Sequence, residues 1–326
     1  MMYAMLIGGF VVLLVGAEYM VRGAVSIADK LGVSKLIIGL TVVAFGTSAP
    51  EVVVSLQAAL DGFPNLAIGN VVGSNIANVL LILGAASMIM AIRTAPHALT
   101  RDGSVMILVS LILCGLVVIG YIDRVAAIGL LVLFVAFLGY SFWSEQKGKD
   151  PHSEVSEHEA EEVEAIDGPA WKAWLAFLAG LAGILVGSDL LVKGGTEIAR
   201  IFGVSEEVIG LTLIAFGTSL PELAASVVAA FRGHADVAIG NVVGSNIFNI
   251  LLVLGVAGVA VPLPVPAQIA SFDIWVMLGA AVVLAPFILG KGRAINRGVG
   301  VVFLAAYGVY IWAQAVGVET VLAKLG

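Results

Sequence analysis

Residues 39–51 read Gly-Leu-Thr-Val-Val-Ala-Phe-Gly-Thr-Ser-Ala-Pro-Glu, and residues 210–222 repeat this stretch with ten of thirteen positions identical. Each copy ends in a glutamate, Glu51 or Glu222, within strongly apolar sequence. A charged side chain in the core of a lipid bilayer costs at least about 2.5–3.5 kcal/mol, so it is rarely there without a function. Two such charges at equivalent positions mark the centre of a predicted functional site.

The spacing within each copy predicts a broken helix that presents oxygen atoms. Four residues of the first copy share one helix face, at positions i, i+3, i+4 and i+7: Ala44, Thr47, Ser48 and Glu51. Pro50 has no N–H and its ring clashes with the carbonyl of Gly46, so the helix should kink or unwind between them. Gly217 and Pro221 predict the same break in the second copy.

Freed carbonyls, hydroxyls and a carboxylate on one face form a hard-oxygen site, which suits Na+ or Ca2+. The alternative is that Thr47 and Ser48 only satisfy the backbone of a kinked helix. The recurrence of the whole pattern, each time with a glutamate, favours an ion site over that alternative.

Composition places the chain in a membrane. Of its 326 residues 60% are hydrophobic and 12% are charged, whereas soluble domains carry about 25% charged residues. The single cysteine, Cys114, excludes an intrachain disulfide. The net charge of −7 comes from residues 144–168, which hold nine acidic side chains and two lysines.

Ten apolar spans approach or exceed the roughly 20 residues needed to cross a bilayer. They lie near residues 2–24, 33–60, 66–91, 103–121, 124–143, 170–193, 206–231, 237–261, 272–290 and 297–317. The first span has neither a positive segment before it nor a cleavage site of small residues, so it is interpreted as a retained helix.

A constant offset of 171 residues relates the two halves of the chain. Residues 69–84 match residues 240–255 at thirteen of sixteen positions, in addition to the two copies of the opening stretch. The chain is therefore predicted to form two five-helix repeats, 1–143 and 170–326, joined by an acidic linker, 144–169. Because five is odd, the second repeat must be inverted, and inverted repeats are typical of secondary transporters. The predicted fold is an all-α integral membrane protein of ten transmembrane helices, with discontinuous helices 2 and 7 forming an ion site at the midplane.

Further polar residues recur at the same offset. Ser74 and Asn78 are four residues apart and share a helix face, as do Ser245 and Asn249. These side chains are predicted to coordinate ions, although Ser and Asn also hold membrane helices together. Four other asparagines are predicted to tie helices or to stabilise the broken backbone: Asn70, Asn75, Asn241 and Asn246. Two i, i+4 pairs are interpreted as structural: Glu18 with Arg22, and Asp189 with Lys193.

The distribution of Lys and Arg predicts the orientation. One predicted face carries twelve of them and the other carries four. We therefore expect a multi-pass protein of the cell (inner or plasma) membrane, with both termini outside and the acidic linker in the cytoplasm. The linker is poor in large apolar residues, so it is predicted to be a solvated loop. A regulatory Ca2+ site there is the alternative, but the spaced ligands and turn glycine of a calcium loop are absent from it.

The repeated motifs resemble those of a known family. Gly-Thr-Ser-x-Pro-Glu occurs at 46–51 and 217–222, and Gly-Ser-Asn-Ile-x-Asn at 73–78 and 244–249. These pairs resemble the alpha repeats of the sodium/calcium exchanger family, in particular its prokaryotic members, which are little more than a membrane domain. The resemblance implies electrogenic exchange of several Na+ for one Ca2+. It implies a transporter and not an enzyme, with Na+ and Ca2+ as transported ions and no cofactor. The expected surroundings are the lipid bilayer, and neither nucleic acid nor an obligate protein partner is expected.

The resemblance also implies which residues bind ions. The central Ca2+ site would comprise Glu51 and Glu222 with the carbonyls of Thr47 and Thr218. The flanking Na+ sites would comprise Ala44, Ser48 and Ser74 on one side and Ala215, Ser219 and Ser245 on the other. Asn78 and Asn249 would complete the middle of the site. Some members have an aspartate at the position of Asn249, so here two glutamates are the only acids, which matches one Ca2+ and weakens the expectation of K+ dependence.

Three other functions compete with this one. A proton-coupled exchanger of Ca2+ or another divalent cation is the main alternative. The proton-coupled relatives of this family have Gly-Asn-x-x-Glu where this chain has Gly-Thr-Ser-x-Pro-Glu, so the resemblance disfavours it. A cation channel usually needs a continuous filter, often built by several subunits. An intramembrane hydrolase is disfavoured because no buried histidine is predicted beside a serine.

Overall fold

The structure is a computed structural model that describes residues 2–93, 98–147, 166–202, 215–288 and 294–318, most of them in helices. The helices are α1 (Met2–Leu31), α2 (Lys35–Thr47), α3 (Ala49–Leu60), α4 (Pro64–Ile89), α5 (Ala98–Ile119), α6 (Arg124–Lys147), α7 (Ala170–Ile201), α8 (Ala215–Thr218), α9 (Leu220–Phe231), α10 (Ala235–Ala260), α11 (Ile269–Ile288) and α12 (Arg297–Val316). The prediction of an all-α membrane protein is confirmed.

Within the described ranges, eight helices are long and apolar enough to cross a membrane, and α2 with α3 makes a ninth, broken span. The remaining predicted span, 206–231, is the seventh along the chain; it ends in the short apolar helix α9, and its residues 206–214 lie outside the described part of the chain. The count of ten therefore stays a prediction. The first and sixth spans continue as helix beyond the predicted apolar segments, to Leu31 and Ile201.

The predicted breaks occur in both repeats. The helix that begins at Lys35 is interrupted at Ser48, whose φ of −85° and ψ of 4° are not those of a regular helix. At the equivalent position, Ser219 has a φ of −88° and a ψ of 0° and separates α8 from α9. Each break falls between the glycine and the proline that predicted it.

Wider, π-helical turns lie within α2, α4, α10 and α11: Gly39–Val43, Asn78–Leu83, Asn249–Val253 and Ile269–Asp273. The turns in α4 and α10 begin at Asn78 and Asn249, which are equivalent residues of the two repeats. Such turns are rare and occur frequently at functional sites.

The chain divides into two compact units. The first unit comprises residues 1–50 and 136–245. Its core lies where α1 packs against α7 and α9, and includes Met20, Ala24 and Phe177. A Cβ atom at Gly16 would come within 2.6 Å of the Ile184 backbone nitrogen, so glycine allows α1 and α7 to pack backbone against backbone.

The second unit comprises residues 51–135 and 246–326. In it α12 packs against the second half of α4, and α11 packs against α5. Four two-residue strands form two antiparallel pairs: β1 (Ile92–Arg93) with β4 (Ala294–Ile295), and β2 (Tyr121–Ile122) with β3 (Leu263–Pro264). Because β1 and β3 are 171 residues apart, the two pairs repeat the internal symmetry of the sequence.

Candidate functional site

In the first unit, glycines bring α2 and α10 close enough for polar contact. A Cβ atom at Gly240 would lie 2.7 Å from the carbonyl oxygen of Leu36. At this close approach Thr47 Oγ1 donates a hydrogen bond to Asn241 Oδ1 over 3.1 Å. Thr47 and Asn241 are both fully buried.

Glu222, in the first turn of α9, is the buried carboxylate of this unit. Its Oε1 accepts a hydrogen bond from Ser48 Oγ at 3.0 Å. Asn241 Nδ2 donates to the Glu222 carbonyl at 3.4 Å and to Ser226 Oγ at 3.0 Å. One network thus joins the break in α2, the start of α9 and the middle of α10.

Ser141 and Ser188 of the first unit, which were not predicted as ligands, have a buried hydroxyl oxygen without a hydrogen-bond partner among the described residues. Two predicted ligands of this unit also have such an oxygen: Oε2 of Glu222 and Oγ of Ser245. A buried oxygen that accepts no hydrogen bond keeps the full cost of its desolvation. A cation is the partner that would satisfy such oxygens, so both atoms fit an ion-binding role.

The other predicted ligands of this unit are placed as follows. Thr218 and Ser219 are buried at the break between α8 and α9. The carbonyl of Ala44 accepts hydrogen bonds from the Ser48 N–H at 2.9 Å and from Thr47 Oγ1 at 3.4 Å. The prediction that the kink frees backbone carbonyls is therefore wrong for Ala44, because the Ser48 N–H still reaches this oxygen across the break. The side chain of Ala215 lies outside the described residues.

In the second unit, four buried asparagine amides of α4 and α10 form reciprocal hydrogen bonds. Asn78 Nδ2 donates to Asn246 Oδ1 at 3.2 Å, and Asn249 Nδ2 donates to Asn75 Oδ1 at 3.1 Å. The two bonds are equivalent under the 171-residue offset. Asn75 and Asn246 thus accept the amide N–H groups of the two predicted ligands.

The orientation of these amides determines what they offer to an ion. The Oδ1 atoms of Asn78 and Asn249 have no hydrogen-bond partner among the described residues. Both asparagines stand at the first position of a π-helical turn. The prediction that Asn75 and Asn246 tie helices together is confirmed, and their hydrogen bonds also fix which end of the ligand amides is unpaired.

Glu51 and Ser74 belong to the second unit. Glu51 is fully buried in the first turn of α3, and Ser74 is buried in α4. Asn70 Nδ2 donates to Ser55 Oγ at 3.0 Å, which repeats the bond from Asn241 to Ser226. The two glutamates fall in different units, so their membership of one site stays a prediction.

Sequence reasoning missed Ser55 and Ser226. Ser55 follows Glu51 by four residues and Ser226 follows Glu222 by four, so each serine lies one helical turn beyond its glutamate. The alignment of the two repeats shows this spacing and could have identified both serines. Both accept a hydrogen bond from an asparagine of the next long helix, and these two asparagines, Asn70 and Asn241, are helix ties as predicted.

The donor atoms are oxygens of carboxylate, hydroxyl and amide groups, which suit hard cations such as Na+ and Ca2+. In the described part of the chain, no three side chains of the types His, Cys, Asp and Glu come together as a metal-binding group.

Comparison with known proteins identifies the family. The family profile described as "Sodium/calcium exchanger protein" matches residues 1–143 and 172–316. The putative antiporter CaxA of Alkalimonas amylolytica is 43% identical over 92% of this chain and 94% of its own length. The sodium/calcium exchanger MaX1 of Methanosarcina acetivorans is 35% identical over 95% of this chain and 97% of its own length.

A solved structure shares the architecture. The sodium-calcium exchanger NCX_Mj, soaked with zero Na+ and Ca2+, superposes with a TM-score of 0.82 at 32% identity. The match covers 96% of this chain and 98% of that one. From its motifs, its helical membrane fold and these similarities, the chain belongs to the sodium/calcium exchanger family of membrane antiporters.

Proposed function

We propose that this chain exchanges Na+ for Ca2+ across the cell membrane by alternating access. The observation that carries the proposal is a group of four among the buried oxygens that have no hydrogen-bond partner in the described residues: Glu222 Oε2, Ser245 Oγ, Asn78 Oδ1 and Asn249 Oδ1. All four belong to residues that the repeated motifs predicted as ion ligands. The family membership supports a cation/Ca2+ antiporter, and the proposal adds that the coupling ion is Na+.

We assign the ligands as follows. Glu51 and Glu222 bind Ca2+ together with the carbonyls of Thr47 and Thr218. Na+ is bound on one side by Ala44, Ser48 and Ser74 and on the other by Ala215, Ser219 and Ser245. Asn78 and Asn249 contribute their amide oxygens between these groups. Asn75 and Asn246 are positioning residues, because their hydrogen bonds hold the ligand amides in one orientation.

Exchange follows from the shared use of these oxygens. Ca2+ needs six to eight oxygens at about 2.3–2.6 Å. Two glutamates that serve one Ca2+ cannot at the same time serve several Na+, so binding of one kind of ion displaces the other. Without ions, two carboxylates would carry uncompensated charge within the membrane. Only the loaded protein is therefore expected to change between its inward-open and outward-open states, which makes the exchange obligatory.

We further propose that the face rich in Lys and Arg is cytoplasmic and that both termini are outside, in line with the positive-inside rule. The proposal involves no covalent chemistry, cofactor or partner protein.

The Ser48 hydroxyl donates a hydrogen bond to Oε1 of Glu222, whereas Oε2 of Glu222 has no hydrogen-bond donor among the described residues. This arrangement supports binding of a metal cation at Glu222.

The test is 45Ca2+ uptake into proteoliposomes that contain the purified protein. Vesicles loaded with Na+ and diluted into Na+-free medium should accumulate Ca2+, whereas a pH gradient or a K+ gradient of the same size should not drive uptake. Uptake driven by the pH gradient alone would contradict Na+ coupling and establish a proton-coupled exchanger. Ca2+ currents without any counter-ion would establish a channel.

A further inference from the structure

Glu18, in the middle of α1, makes ion pairs in two directions. Arg22, one turn further along α1, lies with its Nε 2.6 Å from Glu18 Oε1. Arg232, at the end of α9, donates from Nε to Glu18 Oε2 at 2.7 Å and places Nη2 2.5 Å from Oε1. The side chains of Glu18 and Arg232 are only 22% and 40% exposed. The pair with Arg232 therefore joins α1 to the turn between α9 and α10.

The residues that are equivalent to Glu18 and Arg232 under the 171-residue offset cannot form the same ion pair. Asp189 is equivalent to Glu18, and Lys193 is equivalent to Arg22. Asp189 and Lys193 form an i, i+4 ion pair at 2.7 Å, with side chains that are 56% and 59% exposed. The residue equivalent to Arg232 is Asp61, an acid in place of a base, and Gln57 donates hydrogen bonds to it. Two acids in these positions would repel each other.

This asymmetry matters if the transporter alternates. In a transporter with inverted repeats, alternating access is largely a rocking or gating of one repeat against the other. In the described structure Glu18 is mostly covered, whereas Asp189 is mostly exposed. Because Glu18 belongs to the first repeat and Arg232 to the second, such a movement would separate this ion pair, and the equivalent residues, Asp189 and Asp61, are two acids that cannot form one in its place.

We propose that the Glu18–Arg232 ion pair is a latch that stabilises the described conformation over the opposite one. The two residues are positioning residues that set the sidedness of transport and bind no transported ion. This inference rests on the proposed function, because it needs alternation between two states. Arg22 does not belong to the latch, since it moves with Glu18 on the same helix.

The size and sign of the effect follow from general considerations. Partly exposed ion pairs contribute modestly, so loss of the latch should change the conformational equilibrium about two- to fivefold. The apparent affinity of each side scales with the fraction of molecules open to that side. Loss of the latch should therefore strengthen Ca2+ binding from one side of the membrane and weaken it from the other.

The experiment compares Arg232→Gln with the matched control Arg22→Gln, which removes a pair of similar length within one helix. Half-saturating Ca2+ concentrations are measured for Na+-dependent 45Ca2+ transport in inside-out and right-side-out membrane vesicles. A third variant, Glu18→Arg with Arg232→Glu in the Arg22→Gln background, reverses the pair. If Arg232→Gln is not inserted, Glu18→Gln replaces it.

We expect Arg232→Gln to shift the two half-saturating concentrations in opposite directions by about two- to fivefold. Arg22→Gln should behave like the parent, and the reversed pair should restore parental values. Equal shifts on both sides, no shift, or failure of the reversed pair to restore the parent would overturn the latch. Absence of Na+-dependent transport in the parent itself would instead refute the proposed function.

Discussion

At Glu222 the two carboxylate oxygens have different surroundings. Oε1 accepts the Ser48 hydroxyl at 3.0 Å, and Oε2 is buried without a hydrogen-bond partner among the described residues. A carboxylate in this position can bind a cation and keep one hydrogen bond that orients it. The side-chain amides of Asn78 and Asn249 are arranged in the same way. Their Nδ2 atoms donate hydrogen bonds that orient them, and their Oδ1 atoms have no hydrogen-bond partner among the described residues.

Replacement of Asn249 by Asp should make transport more sensitive to acid. The new carboxyl would join two glutamates in the proposed site, and like charges in a low-dielectric environment disfavour joint ionisation. A proton shared among the three would compete with Ca2+ and Na+. We expect Asn249→Asp to keep exchange but to lose more 45Ca2+ uptake than the parent between pH 7.5 and pH 6. Parallel pH profiles would show that residue 249 does not face the ions.

His234, in the turn before α10, predicts a pH dependence of stability. Burial, with smaller contributions from Lys35 and Arg232, lowers the pKa of His234 from 6.5 to about 4. Between these values the unfolded chain binds a proton that the folded chain does not, so stability falls as pH decreases from about 6.5 to about 4. Melting temperatures measured in detergent should fall less steeply over this window in His234→Gln. Identical slopes for parent and variant would contradict the assignment.

At the residue scale, the sequence was informative where a motif recurred. Spacing and repetition were enough to single out Glu51, Glu222, Ser48 and Asn249 as candidate ligands. The partner of Glu18 on another helix and the partners of the ligand amides could not be predicted, because Arg232 is 214 residues from Glu18 and Asn246 is 168 residues from Asn78. Contacts at such separations depend on the packing of helices, which local spacing does not encode.

At the scale of elements, the breaks at Ser48 and Ser219 were predictable because proline removes a specific hydrogen bond. The π-helical turns at Asn78 and Asn249 were not. Their sequences contain no proline at the turn, and a shift from i+4 to i+5 bonding depends on what the side chains meet. The two turns begin at the asparagines that were predicted to coordinate ions.

Gly16 tests how closely α1 and α7 must pack. A Cβ atom there would lie 2.6 Å from the Ile184 nitrogen and 2.7 Å from the Gly180 oxygen, which are backbone atoms. Gly16→Ala should therefore destabilise the protein by about 1–3 kcal/mol. The control is Gly8→Ala on the same helix, where no atom lies within 4 Å of the added carbon. Its melting temperature should equal or exceed that of the parent, and equal destabilisation of both variants would contradict the packing argument.

The acidic linker provides a further test. Residues 148–165 lie outside the described part of the chain, whereas Ile166 donates its N–H to Ser26 Oγ at 2.9 Å and accepts from Lys30 Nζ at 2.7 Å. Replacement of 148–165 by a Gly/Ser segment that keeps Ile166 should leave 45Ca2+ uptake close to parental, because such linkers serve as flexible connections. A large loss of Ca2+ affinity would reveal the regulatory site that was considered as an alternative.

At the scale of the whole molecule, the constant offset of 171 residues organises both sequence and structure. The bonds Asn70–Ser55 and Asn241–Ser226 are equivalent, as are Asn78–Asn246 and Asn249–Asn75. The exception is the pair Glu18–Arg232, whose equivalent in the sequence is two acids. A symmetrical fold thus carries an asymmetrical ion pair, which is how an exchanger could favour one of its two states.

The central claim is that one set of oxygens, with Glu51 and Glu222 at its centre, binds either Ca2+ or Na+. Equilibrium binding of 45Ca2+ to the purified protein, measured while Na+ replaces choline at constant ionic strength, tests this claim most directly. We predict that Na+ displaces Ca2+ competitively and that Glu51→Gln and Glu222→Gln each abolish binding in a folded protein, because each removes one of the two charges that compensate Ca2+. The exposed Glu197→Gln should bind like the parent. Ca2+ binding that is unaffected by Na+, or that survives in either glutamate variant, would contradict the account.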